Sequence, residues 1–116
     1  MKILIVDDDQ NILRLYKEEL EEEGYTIVTA SNGQEAIERF DQEDPDLVTL
    51  DILLPDIDGI KLLRQMKEKK PRLPIIMSTA YDYRDDFSVW ASEAYIVKSS
   101  DLAELKSMIK RLLIKE

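Results

Sequence analysis

The sequence predicts a doubly wound α/β domain, in which helices cover both faces of a five-stranded parallel sheet. Short apolar runs alternate with helical patterns along the 116 residues, which is the order expected of repeated βα units. The apolar runs are continuous and do not alternate with polar residues, as in parallel strands that are buried on both faces. Together these two observations predict five strands and five helices.

The predicted strands are five runs rich in branched and apolar residues. They are Ile3–Val6, Thr26–Thr29, Leu47–Leu50, Ile75–Ser78 and Tyr95–Val97. In a doubly wound sheet, ligands bind beyond the carboxyl ends of the strands, at the point where the strand order reverses. The residues that directly follow these runs are therefore the first candidates for a functional site.

Four of the predicted helices show apolar residues at three- and four-residue spacing. These residues are Ile12, Leu13, Tyr16 and Leu20; Ala36, Ile37 and Phe40; Leu62, Leu63 and Met66; and Leu102, Leu105, Ile109, Leu112 and Leu113. Asn32 opens the second helix, and Gly24, Pro45 and Pro71 follow the ends of the first three. The remaining helix, the fourth in chain order, is expected in segment 83–91, where aspartates dilute the pattern.

The composition excludes several classes of function. The chain has no Cys and no His, so it forms no disulfide framework, imidazole zinc site or Ser-His-Asp centre. Its net charge of −9 and pI of about 4.6 argue against direct binding of nucleic acid. No apolar run approaches the roughly 18 residues of a transmembrane helix. We expect one cytoplasmic domain over residues 1–116, with no membrane segment and no output domain.

Acidic residues follow two of the predicted strands. Asp7, Asp8 and Asp9 come directly after the first strand, and Asp51 comes directly after the third. If these strands lie side by side, the carboxylates meet at one edge of the sheet, where like charges repel unless a cation lies among them. Hard oxygen ligands of this kind suit Mg²⁺. Taken alone, Asp8 or Asp9 is equally well explained as the N-cap of the first helix.

Polar residues also follow the fourth and fifth strands, so that four motifs end four different strands. The motifs are Ile5-Val6-Asp7-Asp8, Asp51-Ile52-Leu53-Leu54-Pro55-Asp56-Ile57-Asp58-Gly59, Ser78-Thr79-Ala80 and Tyr95-Ile96-Val97-Lys98. In this order and at this spacing they closely resemble the receiver domains of two-component response regulators, of the single-domain chemotaxis-regulator type, over essentially the whole chain. The resemblance implies a flavodoxin-like receiver fold with the strand order 2-1-3-4-5.

The resemblance implies a role for each of the acids at the strand ends. Asp51 is the implied phospho-acceptor, whose carboxylate attacks the phosphorus of a partner's phosphohistidine and becomes an acyl phosphate. Asp8, Asp51 and the backbone carbonyl of Leu53 would hold Mg²⁺ directly, and Asp7 would hold it directly or through water. Receivers lose the phosphoryl group by attack of water, so we expect self-dephosphorylation and no enzyme activity on outside substrates.

Three further residues complete the implied site and its switch. Lys98 would pair with one phosphoryl oxygen as a point charge, and Thr79 would hydrogen-bond to another. From Thr79 the signal would pass to Tyr95, whose ring switches between outward and inward rotamers. This switch would repack the face made by the fourth predicted helix, the fifth strand and the fifth predicted helix.

The implied partners are a sensor histidine kinase, which donates the phosphoryl group, and an unknown downstream protein. The kinase would dock on the first helix, near Asn11, Arg14, Leu15 and Glu18. We expect the chain to act as a monomeric, stand-alone response regulator, with no nucleic acid or membrane as a partner.

The sequence departs from the family pattern after Lys98. Most receivers have a proline there, often after a cis peptide bond, whereas this chain has Ser99. A cis bond before a residue other than proline costs about 2.5–4 kcal/mol, so we expect a trans bond or a shifted loop. Ser92-Glu93-Ala94 also stands where a Gly-Ala pair is usual, and we expect the fourth-helix segment to be irregular or mobile.

Two other functions stay open. One is a degenerate receiver that binds a partner without being phosphorylated, which the replacement of proline by Ser99 allows. The other is a phosphatase with an aspartyl-phosphate intermediate. Such enzymes usually carry a second acid two residues after the nucleophile, and Leu53 occupies that place.

Asp56 and Asp58 are interpreted as turn and helix-cap residues.

Overall fold

The computed structural model describes residues 1–79, 94–97 and 102–114, with the backbone alone at 79, 94, 95 and 97. Within these residues the chain forms five strands and four helices. The elements are β1 (Lys2–Val6), α1 (Gln10–Glu22), β2 (Thr26–Ala30), α2 (Gly33–Glu43), β3 (Leu47–Leu50), α3 (Gly59–Lys69), β4 (Ile75–Thr79), β5 (Ala94–Val97) and α4 (Ala103–Ile114). The helix expected in segment 83–91 lies outside the described residues, so α4 corresponds to the fifth predicted helix.

The five strands form one parallel sheet in the order β2-β1-β3-β4-β5, as predicted. The observed strands differ from the predicted ones by one residue at four places. β1 begins at Lys2 because Lys2 pairs with Thr26, and β5 begins at Ala94 because Ala94 pairs with Ile76. β2 and β4 each extend one residue further towards the carboxyl edge.

The strand register brings the carboxyl ends of the central strands to one level. Val6 of β1 pairs with Ala30 of β2 on one side and with Leu50 of β3 on the other. Leu50 in turn pairs with Met77 of β4. Residues that follow β1 and β3 therefore leave the sheet side by side, at the edge where a doubly wound fold binds its ligands.

Two hydrophobic cores lie on opposite faces of the sheet, because successive strand side chains point to opposite faces. On one face, Leu4, Val6 and Leu50 pack with residues of α2 and α3 such as Phe40 and Leu62. The other core consists of strand residues together with side chains of α1 and α4, and its members include Ile3, Ile5, Ile76, Leu13, Tyr16, Leu20, Leu105 and Ile109. The apolar runs are thus buried on both faces, as their continuous pattern predicted.

The ends of the helices follow the predicted signals. Asp9 is the N-cap of α1, and its carboxylate accepts a hydrogen bond from the backbone N–H of Asn11 at 2.9 Å. Of the two candidate caps, Asp8 and Asp9, the helix therefore uses Asp9. Asn32 caps α2, and Asp58 caps α3. Gly24 follows α1 with φ of +96°, a backbone conformation that favours glycine. None of the helices in the described ranges has the length and hydrophobicity needed to cross a bilayer.

Candidate functional site

Two buried aspartates lie side by side because the β1 and β3 backbones stay paired beyond the last strand residues. The N–H of Asp51 donates to the carbonyl oxygen of Val6 at 3.0 Å, and the N–H of Asp7 donates to the carbonyl oxygen of Ala30 at 3.1 Å. Asp7 is 2% exposed and Asp51 is 3% exposed. Each acid is therefore fixed by the sheet at the position where its own strand ends.

Asp8 joins these two residues to form an acidic cluster. Carboxylate oxygens of Asp7, Asp8 and Asp51 lie within 4.8 Å of one another, with Asp8 exposed to solvent. Three carboxylates at this range repel unless a cation or proton lies among them. Oxygen ligands from a few carboxylates, with one side open to water, fit Mg²⁺, which usually keeps several of its waters.

Backbone N–H groups orient the two buried carboxylates. The side chain of Asp7 accepts from the N–H of Asp9 at 2.9 Å, where the chain turns into α1. The side chain of Asp51 accepts from the N–H of Leu53 at 3.2 Å. These two hydrogen bonds fix the direction in which each carboxylate faces the cluster.

The loop between β3 and α3, residues 51–58, is closed tightly beside Asp51. Leu53 and Asp58 form a single antiparallel bridge, and the N–H of Gly59 donates to the carbonyl oxygen of Ile52 at 2.8 Å. A Cβ on Gly59 would lie 2.6 Å from the Cα of Ile52 and would also meet the carbonyl oxygen of Asp51. Glycine is therefore required for α3 to begin this close to the acidic cluster.

The remaining predicted site residues lie in β4 and β5 or directly follow β5 in the sequence. Thr79 is the last residue of β4 and pairs with Val97, the last residue of β5. Tyr95 lies in β5 opposite Met77. Lys98, its bond to Ser99 and the side chains of Thr79 and Tyr95 lie outside what the structure describes. Their predicted roles at the site therefore stay predictions.

The residues predicted to meet a kinase lie on one accessible side of α1. Asn11, Arg14 and Glu18 are exposed, and Leu15 is half-buried. The opposite side of the helix, with Leu13, Tyr16 and Leu20, is buried against the sheet. A partner can therefore contact α1 close to the acidic cluster without disturbing the core.

One contact near the site has no signal in the local sequence. Asp56, in the loop between β3 and α3, accepts hydrogen bonds from the N–H groups of Gly33 and Gln34, at the start of α2. Asp56 was expected to be a turn residue of its own loop. It lies in a bend of that loop and also caps a helix that precedes it in the chain, and only the folded topology brings the two together.

A cleft of about 540 Å³ lies at the other edge of the sheet. It is formed where α2 leads into β3 and α3 leads into β4, and Pro45, Pro71 and Pro74 line it. Ligands of doubly wound folds bind at the carboxyl ends of the strands, whereas this cleft lies at the amino ends. The acidic cluster is therefore the better candidate for the functional site.

A comparison with protein families matches residues 3–110 to the response regulator receiver domain. Over 115 residues, the chain is 37% identical to the alkaline phosphatase synthesis transcriptional regulatory protein PhoP of Bacillus subtilis, covering 97% of this chain and 48% of PhoP. It is 36% identical to sporulation initiation phosphotransferase F of the same organism, covering 97% of this chain and 93% of the relative. The chain thus spans about half the length of PhoP and nearly all of phosphotransferase F.

Solved structures give the same match at higher identity. The response regulator TrrA from Thermotoga maritima, in complex with Mg²⁺ and BeF, is 50% identical, with a TM-score of 0.92 over 97% of this chain and 98% of TrrA. TrrA in complex with the histidine kinase ThkA matches with a TM-score of 0.90 at 50% identity, over 97% of each chain.

Proposed function

Because the chain belongs to the family of response regulator receiver domains, we propose that Asp51 accepts a phosphoryl group from a histidine kinase in a reaction that requires Mg²⁺. Receiver domains of two-component systems are phosphorylated on an aspartate. The observation that carries the proposal is the meeting of Asp7, Asp8 and Asp51 within 4.8 Å at the carboxyl edge of the sheet.

The proposed ligand set for Mg²⁺ comes from three segments. Asp8 and Asp51 would bind the ion through carboxylate oxygens, Leu53 through its backbone carbonyl, and Asp7 directly or through a water molecule. When bound, the ion neutralises the carboxylates and the oxygens of the phosphoryl group that is being transferred. The presence of Mg²⁺ in the TrrA complex supports Mg²⁺ as the ion, while the ligand set stays a prediction.

In the proposed reaction, Asp51 would act as the nucleophile. A carboxylate oxygen of Asp51 would attack the phosphorus of the donor, forming a P–O bond while the P–N bond to the donor imidazole breaks and its electron pair returns to nitrogen. The bond from the Leu53 N–H at 3.2 Å fixes the orientation of the Asp51 carboxylate. Such transfer depends mainly on positioning and charge neutralisation.

Lys98 and Thr79 are proposed to complete the site from the neighbouring strands. Thr79 and Val97 pair as the last residues of β4 and β5, and Lys98 directly follows Val97 in the sequence. Lys98 would supply a positive charge to one phosphoryl oxygen, and the Thr79 hydroxyl would donate to another. The bond from Thr79 would then bias Tyr95 between two rotamers and change the partner-binding face that includes β5 and α4.

The proposed phosphodonor is a sensor histidine kinase that docks on α1. Asn11, Arg14 and Glu18 are exposed on this helix, and the complex of TrrA with ThkA supports a kinase as the partner. Self-dephosphorylation, a monomeric state, a cytoplasmic location and stand-alone action stay predictions. The match to nearly all of phosphotransferase F is compatible with stand-alone action. The match to PhoP covers only about half of PhoP, so it does not support stand-alone action.

Intact-mass spectrometry tests the proposal. The protein is incubated with acetyl phosphate in Mg²⁺ or in EDTA, beside the variant Asp51→Asn. We expect one phosphoryl adduct on the wild type in Mg²⁺, and none in EDTA or on the variant. An unmodified wild type that retains its fold would favour a phosphorylation-independent binding module. Release of phosphate at many turnovers from a generic phosphate ester would favour a phosphatase.

A further inference from the structure

Asp56 joins the loop next to the phospho-acceptor to the start of α2. One carboxylate oxygen accepts from the N–H of Gly33 at 2.8 Å, and the other accepts from the N–H of Gln34 at 3.0 Å. The first N–H groups of a helix have no partner within the helix and carry its positive dipole end. A carboxylate that accepts from two of them makes a charge-assisted contact, and this contact spans two separate elements.

The same loop packs closely against α2 through its neighbouring residue. A Cβ on Gly33 would collide with Cγ2 of Ile57 and would lie 3.1 Å from Oδ1 of Asp56. Gly33 is buried, and Ile57 packs against the hydrophobic core on that face of the sheet. The loop thus contacts the first turn of α2 through the apolar side chain of Ile57 and through the two hydrogen bonds to the Asp56 carboxylate.

The cap formed by Asp56 is separate from the local cap of α2. Asn32 accepts from the N–H of Glu35 at 2.9 Å, and the side chain of Glu35 accepts from the N–H of Ser31 at 2.9 Å. Asn32 and Glu35 therefore form a local capping arrangement. Asp56 takes the two N–H groups that this arrangement leaves, so the helix has a local cap and a long-range cap.

The other end of the loop is joined to the acidic cluster. Leu53 donates its N–H to the carboxylate of Asp51, and its backbone forms the bridge with Asp58. Only two residues separate Leu53 from Asp56. Movement of Asp56 away from α2 would therefore move the backbone that orients Asp51 and carries the proposed Leu53 ligand.

We propose that Asp56 is a positioning residue for the Mg²⁺ and phosphoryl site, because it holds the loop on α2 and so fixes Leu53 against Asp51. This inference rests on the proposed function, since it concerns the affinity of the same site for Mg²⁺. The residue acts through the loop backbone and touches neither the ion nor the phosphoryl group. The pKa of Asp56 lies below its ordinary value of 3.8, and the hydrogen bond from the Gly33 N–H is the largest cause. Desolvation raises the pKa, but the hydrogen bond from the Gln34 N–H lowers it further. Asp56 is therefore ionised at neutral pH and keeps both acceptor oxygens.

A pair of variants separates positioning from simple helix capping. Asp56→Ala removes the long-range cap, and Asn32→Ala removes the local cap of the same helix without touching the loop. The Mg²⁺ dissociation constant of each full-length variant is measured by titration calorimetry, and its melting temperature by circular dichroism. Outer-shell partners typically change metal affinity about 10–100-fold. Asp56 acts only through the loop, so we expect a smaller effect: the Mg²⁺ dissociation constant should rise about 3–10-fold in Asp56→Ala. It should stay unchanged in Asn32→Ala.

Hydrogen exchange of the Leu53 amide in Mg²⁺-free protein gives a second readout. We expect faster exchange at Leu53 in Asp56→Ala than in Asn32→Ala, with Asp56→Asn intermediate because its amide keeps one acceptor oxygen. Equal effects of Asp56→Ala and Asn32→Ala on both Mg²⁺ affinity and Leu53 exchange would overturn the positioning role. A wild type that binds no Mg²⁺ would instead contradict the proposed function. In that case, accelerated Leu53 exchange confined to the Asp56 variants supports the positioning role, and unchanged exchange overturns it.

Discussion

Asp51 donates its backbone N–H to the carbonyl oxygen of Val6 at 3.0 Å, one residue beyond the last pair of the β1–β3 ladder. This bond places the Asp51 side chain beside Asp7, which directly follows Val6. The buried part of the acidic cluster is therefore an extension of the parallel sheet. Its position depends on strand register more than on the conformation of any flexible loop.

Asp8 and Asp9 are adjacent acids with different expected roles. Asp8→Ala removes an exposed carboxylate from the acidic cluster, whereas Asp9→Ala removes the N-cap of α1. Loss of an outer-shell partner typically weakens metal binding about 10–100-fold. Asp8 is proposed to bind the ion directly, so we expect Asp8→Ala to weaken Mg²⁺ binding by at least this factor. Calorimetric titration with Mg²⁺ measures this change.

Asp9→Ala serves as the matched control for Asp8→Ala. Loss of an N-cap costs about 1 kcal/mol of folding stability, so Asp9→Ala should lower the melting temperature while Mg²⁺ affinity stays near that of the wild type. If the Asp9 variant lost as much Mg²⁺ affinity as the Asp8 variant, the division of roles between the two acids would be wrong.

Binding of Mg²⁺ should raise the melting temperature of the wild type. A ligand that binds only the folded state at a hundredfold excess over its dissociation constant adds about 2.7 kcal/mol of stability. Asp51→Asn removes one of the two buried carboxylates of the cluster, so its melting temperature should respond less to Mg²⁺. Thermal scans in Mg²⁺ and in EDTA measure both effects, and an equal shift in wild type and variant would count against Asp51 as a ligand.

Gly59 is expected to tolerate no side chain. A Cβ there would lie 2.7 Å from the carbonyl oxygen of Ile52 and would meet backbone atoms that cannot rotate away. We expect Gly59→Ala to cost about 3 kcal/mol, at the upper end for overpacking, and to slow phosphorylation by displacing the backbone next to Asp51. Urea unfolding and the rate of adduct formation measure the two effects.

Gly24→Ala is the control for this substitution, because it tests glycine far from the site. A Cβ on Gly24 meets no atom within 4 Å, but φ is +96°. The left-handed conformation costs a residue with a side chain about 1–2 kcal/mol. Gly24→Ala should therefore lower stability and leave phosphorylation unchanged. A normal phosphorylation rate in Gly59→Ala would show that phosphorylation does not need the close packing of Gly59 against the backbone of Asp51 and Ile52.

The contribution of Asp56 to stability should depend on pH. The Gly33 N–H is the first cause that lowers the pKa of Asp56 in the folded state below its ordinary value of 3.8. Stability from this contact is therefore present above pH 3.8 and is lost as the pH falls through the folded-state pKa. Urea unfolding of the wild type and Asp56→Asn should show the largest difference near neutral pH. A difference that grows on acidification would contradict this linkage.

The sequence predicted much of the sheet and the acidic part of the site, because these depend on local patterns. Continuous apolar runs indicated strands buried on both faces, and the acids that end them marked the carboxyl edge. Asp9, Asn32 and Asp58 were each recognisable as residues at helix starts, and all three act as N-caps. In each case the signal and the contact lie within a few residues of each other.

Contacts between distant segments could not be predicted in the same way. Asp56 lies in a turn with Pro55, so local chemistry explains its residue type without any reference to α2. Its bonds to Gly33 and Gln34 follow from how two loops meet at the carboxyl edge of the folded sheet. Nothing in the local sequence around Gly33 indicates that a side chain there would collide with Ile57.

Chemical trapping of the phosphorylated residue tests the central claim most directly. The protein is incubated with Mg²⁺ and acetyl phosphate, reduced with borohydride, digested and sequenced by mass spectrometry. Borohydride converts an aspartyl acyl phosphate to homoserine, so the account predicts homoserine at position 51 and its absence when Mg²⁺ is removed. Homoserine at position 7 or 8, or at no position while the folded protein binds Mg²⁺, would contradict Asp51 as the phospho-acceptor.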